Sequence, residues 1–90
     1  MILELISSLN FMLNMRRSIK TIEKEIRADW KNISPYARPY LDAMSTLDKV
    51  DDKFGVDYAR SIISYFLVNS MGWRGEVARA VKKELNEMVR

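Results

Sequence analysis

MLNMRRSIKTIEKEIRADW, residues 12 to 30, sets Met12, Met15, Ile19, Ile22, Ile26 and Trp30 at steps of three and four residues. At roughly 100° per residue these side chains share one narrow face, the pattern of an amphipathic α-helix. Towards the N-terminus, Ile2, Leu3, Leu5, Ile6, Leu9, Phe11 and Leu13 stay apolar but spread around most of a helical circumference. The expectation is one long helix over residues 2 to 31. Three short neighbours cannot cover a helix that is apolar on several sides, so Leu5, Ile6, Leu9, Phe11, Met12 and Leu13 are assigned to a homodimer interface.

The rest of the chain reads as three shorter helices. Ser34 is a good N-cap and Pro35 suits the first helical position, where no backbone donor is needed. Leu41, Met44, Leu47 and Phe54 then mark the buried side of a second helix that Gly55 closes. Asp57 caps a third, from about Tyr58 to Asn69, with Ile62, Ile63, Phe66 and Leu67 at the core. Ser70-Met71-Gly72 is a turn, and the last helix buries Val77, Ala78, Val81, Leu85, Met88 and Val89. The expected architecture is an all-α bundle of about four helices forming a single domain over residues 1 to 90. Three Gly and two Pro in 90 residues leave room for few turns, in keeping with that class.

With no Cys and no His, disulfides, thiolate chemistry, the usual zinc ligand sets and the Ser/His/Asp and Cys/His constellations are excluded. No cofactor, metal or catalytic activity is expected. The apolar start lacks a basic n-region and a small-residue cleavage site, and it is too short to cross a bilayer. A cytoplasmic protein is expected, with no membrane partner.

Net charge is +3, with basic ends and an acidic middle. Arg17, Lys20, Lys24, Arg27 and Lys31 follow steps of three and four and form a stripe beside the apolar face. Such a stripe can meet phosphates or an acidic protein surface. It can equally pair with the chain's own Asp42, Asp48, Asp51, Asp52 and Asp57. The stripe and the corner at Trp73 and Arg74 are the candidate partner-binding residues.

Three further motifs carry less. Gly72-Trp73-Arg74-Gly75 has the GxxG spacing of a nucleic-acid clamp, but no companion sheet is expected. Residues 74 to 90 could serve as the reading helix of a helix-turn-helix, yet only Asn86 is a usual base-edge reader there. Asp48, Asp51 and Asp52 lie one turn apart without the loop spacing of a calcium site.

The stretch from Asp57 to Ser70, with Trp73 to Glu76 and Val81 to Leu85, resembles short helical proteins encoded by phages and mobile elements of Gram-positive bacteria. That resemblance implies a protein that binds, and in some cases inhibits, a protein or protein–nucleic-acid machine such as a bacterial defence complex, in the manner of anti-CRISPR proteins. It transfers no functional residue. The alternative is a nucleic-acid-binding accessory protein that uses the basic face of helix one or helix four.

Overall fold

A computed structural model describes residues 17–90. The residues assigned above to the dimer interface lie outside that range. The first helix, α1, spans Ile19–Asp29. Its N-cap, Ser18, is extended (φ −70°, ψ 149°), and the Ser18 hydroxyl accepts from the Thr21 amide at 3.2 Å. The expected continuous helix over residues 2 to 31 is therefore interrupted at Ser18. A helix cannot run through an extended residue, and the freed donors find other acceptors: the amides of Ile19 and Lys20 bond to the carbonyls of Asp48 and Leu47. This satisfies two of the orphan groups of the first turn from a distant loop.

Helix α2, Arg38–Met44, is much shorter than the expected second helix. Ser34 and Pro35, expected as N-cap and first helical residue, lie ahead of it: the N-cap is Ala37, and Pro39 is the proline of the first turn. Ser34 instead opens a preceding turn, its carbonyl accepting from the amides of Ala37 and Arg38 and its hydroxyl from that of Tyr36. Four local bonds then stop the helix. The hydroxyls of Ser45 and Thr46 bond back to the carbonyls of Asp42 and Ala43, and the Asp52 carboxylate accepts from the amides of Asp48 and Lys49, both at 3.0 Å. Short polar side chains thus offer the backbone an alternative to helix.

The chain goes on into a two-strand antiparallel ladder, β1 (Lys53–Phe54) and β2 (Asp57–Tyr58), with Lys53 opposite Tyr58. The fold is mostly helical, with this small sheet in place of a purely α architecture. Gly55, at φ +65°, is a hairpin-turn residue and not a helix C-cap, because the tight turn needs a left-handed backbone. Phe54, expected on the buried side, is exposed. Asp57, expected to cap the third helix, sits in β2. The first amides of α3 (Ala59–Val68) bond instead to the carbonyls of Asp52 and Val50.

Helix α4, Glu76–Met88, follows a turn that ends at Gly75, φ +112°. Helix α3 is packed by α2, α4 and the hairpin, and α1 closes against α2 and α4. Phe66, Ile63, Ile22, Ile26, Leu41, Met44 and Leu85 form the centre of the core. Burial of each large apolar side chain contributes about 1.5–3 kcal/mol, so this cluster supplies the main stabilisation.

The Asp48–Asp52 turn makes one pH-dependent prediction. Hydrogen bonds from the Lys49 and Asp48 amides hold the Asp52 carboxyl below its ordinary pKa. A carboxyl lowered in the folded state contributes stability that is complete above the unfolded value and lost as pH falls through the folded one. The amides of Asp48 and Lys49 should lose hydrogen-exchange protection in that acid window, before global unfolding. In Asp52→Asn, the pH dependence of their exchange protection should disappear.

Candidate functional site

The basic stripe folds into a set of internal pairs. Arg17 reaches Glu25 at 2.7 Å and Glu84 at 2.8 Å, bracing α1 to α4. Lys20 meets Asp48 at 3.2 Å, and Arg27 meets Glu23 and, at 2.8 Å, Asp42 on α2. Burial alone would lower the Arg17 pKa, but the Glu84 and Glu25 carboxylates outweigh it and raise the pKa. Asp42 and Glu23 raise that of Arg27. Lys31 caps the carbonyl of Ala28. Of the five residues only Lys24 is exposed with no ion-pair or hydrogen-bond partner among the described residues. Of the acidic middle, Asp42 and Asp48 meet the stripe, whereas Arg17 is held by Glu25 and Glu84 and Asp51 pairs with Arg60. Each exposed pair is worth only about 0–1 kcal/mol, yet a partner's phosphate must displace a carboxylate at three of the five positions.

The Trp73–Arg74 corner is split by burial. Trp73 is 2% exposed, so as a partner-binding residue it is corrected to a core residue. Its indole stacks on that of Trp30, with ring centres 5.9 Å apart and planes within 10°, and Trp30 meets the edge of Phe66. An indole N–H must find an acceptor when buried, and the Nε1 of Trp73 donates to Asp29 at 2.8 Å. The Lys82 ammonium donates to the carbonyls of Ser70 and Trp73, both at 2.7 Å, and ties the corner to α4. Burial, helped by the Arg74 charge, lowers its pKa. Arg74 itself is exposed and remains available.

A surface with no counterpart among the sequence expectations lies where the hairpin returns to α2 and α3. Pro39, Tyr40, Ala43, Phe54, Ile62 and Tyr65, with Asp57 at the edge, line a groove of about 300 Å³. The rings of Tyr40 and Tyr65 sit 5.7 Å apart. Phe54 and Tyr65 are each about half exposed, and Val56 at the hairpin tip is 90% exposed. The Lys53 ammonium lies over the Tyr58 ring at 4.7 Å. Tyr is among the side chains enriched in binding hot spots. No periodicity signalled this groove, because it exists only once the hairpin places Phe54 and Asp57 beside α2.

Chemically the groove offers contact area and one carboxylate. Among the described residues, no group of three or more Asp or Glu side chains is placed to hold a metal ion, and no helix is long and apolar enough to cross a membrane. No protein-family model, curated protein or solved structure matches this chain.

Proposed function

We propose that this chain is a non-catalytic protein-binding module whose partner seats on the aromatic groove between α2, the hairpin and α3. The observation that carries this reading is the half-exposed Tyr65 and Phe54 on the groove lining, with Val56 exposed at the adjoining hairpin tip, set against a basic stripe whose Arg17, Lys20 and Arg27 are already paired internally. The resemblance to short phage and mobile-element proteins supplies the setting. In that setting the partner is a protein or protein–nucleic-acid machine of the bacterial host, such as a defence complex, and binding inhibits it. The nucleic-acid alternative would rest on Lys24, Arg74, Arg79 and Lys83, and the internal pairing of the stripe counts against it.

A photo-reactive residue in place of Tyr65 should yield one discrete protein adduct in the cytoplasm of a Gram-positive host, and Val56→Asp should abolish it. The same residue in place of Lys24 should yield none. Adducts from the Lys24 position alone, or to nucleic acid, would overturn the reading.

Self-association completes the proposal. Leu5, Ile6, Leu9, Phe11, Met12 and Leu13, outside the described residues, are proposed as the homodimer interface on the strength of their apolar spread. Light scattering should give twice the chain mass for the full protein and a folded monomer for Leu9→Asp with Met12→Asp. A monomer in both samples removes the dimer and leaves the groove reading standing.

A further inference from the structure

The seam between α1 and α4 holds a second, larger groove of about 1160 Å³. Its apolar lining is Val77, Ala80, Val81 and Met88 of α4, with Val50 at one end. Val77, Met88 and Val50 are only partly buried and Ala80 is exposed. Spacings of three, four and seven put these α4 side chains on one face, the pattern of a helix side that packs against something.

Two observations say what covers it. The first is where the described chain begins. Arg17, the first described residue, is part of the groove wall and is clamped there by Glu25 and Glu84. The second is what those residues are. Ile2, Leu3, Leu5, Ile6, Leu9, Phe11, Met12 and Leu13 form a run in which the one charged side chain is Glu4. Twelve residues span about 18 Å if helical and about 40 Å if extended, against roughly 17 Å along α4 from Val77 to Met88. A segment tethered at the rim also meets the groove at a far higher effective concentration than a separate molecule does.

We propose that residues 2–13 of the same chain seat in the α1–α4 groove and cover Val77, Ala80, Val81 and Met88. The proposal is independent of the aromatic groove. It is also compatible with the dimer, because a segment apolar on several sides that seats one side in the groove retains another for a second copy.

The chain has no cysteine, so Lys83→Cys, at an exposed rim position of the groove that the proposal leaves uncovered, accepts a single nitroxide tag. With the methyl groups of Ile and Leu isotopically labelled, the tag should erase the signals of Ile6 and Leu9. The loss should persist when the tagged, labelled chain is mixed with a large excess of untagged, unlabelled chain. Full Ile6 and Leu9 signals with the tag at Lys83→Cys overturn the proposal. A loss that the excess chain abolishes also overturns it, since the groove is then filled by a second copy.

Discussion

Trp73→Ala is expected to lower the unfolding free energy by about 3–5 kcal/mol, the usual cost of deleting a large aromatic from a core. For a domain of this size the whole stability is roughly 5–15 kcal/mol, so the loss removes a large share of it and, at about 4–8 °C per kcal/mol, should lower the Tm by about 12–40 °C. The effect is large because one side chain holds three elements together. It is buried, stacked on Trp30 of the α1 C-terminus, bonded to Asp29, and carried on the turn that Lys82 ties to α4. Trp73→Phe keeps a ring on Trp30 but removes the bond to Asp29, and should cost about 1–2 kcal/mol, a figure between a lost hydrogen bond and a small cavity. Thermal unfolding followed by circular dichroism separates the two. Equal losses for Ala and Phe would show that the ring stacking contributes nothing.

The second large effect is expected at Arg27. Glu23 is 4% exposed, and its carboxylate sits beside the Arg27 guanidinium, which also holds Asp42 on α2. Removing one member of a buried pair strands the other, at a cost of about 3–5 kcal/mol for full burial. Arg27 is itself about one-third exposed, so water can reach the stranded carboxylate, and about 1–3 kcal/mol is expected for Arg27→Met. The double variant Glu23→Met with Arg27→Met should recover most of that loss, because two apolar side chains leave no uncompensated charge. A denaturant double-mutant cycle measures this directly. Additive losses in the double variant would mean that the pair is a surface bridge of little weight.

Helices α3 and α4 were legible in the sequence because their apolar period is unbroken and the Gly72–Gly75 turn separates them. Ile62, Ile63, Phe66, Val81 and Leu85 are core residues as the period predicts. The start of α1 was obscured because Met12, Met15 and Ile19 carry the period straight through Ser18, and the extended backbone at Ser18 is held by carbonyls of Leu47 and Asp48 that no local pattern reveals. The second helix was overextended for a related reason. Leu47 is buried as its spacing requires, but the Asp52 carboxylate turns the backbone at Asp48 and Lys49, a competition that apolar periodicity does not register. For the stripe, Asp42 and Asp48 were among the expected counterparts, but Glu23, Glu25 and Glu84 were not. Which carboxylate meets which cation depended on packing α2 and the Asp48 loop against α1. The aromatic groove had no linear signature, because Tyr40, Phe54 and Tyr65 come together only through the hairpin.

The proposed function requires that apolar contact, and not charge, meets the partner. The most direct test is the affinity for the partner identified by crosslinking at Tyr65, measured across a range of salt. Predicted is an affinity nearly flat in salt, reduced about 30-fold by Tyr65→Ala, the roughly 2 kcal/mol of an aromatic hot spot, and unchanged by Lys24→Ala. An affinity that falls steeply with salt, as phosphate contacts require, and that Lys24→Ala weakens while Tyr65→Ala does not, would contradict it.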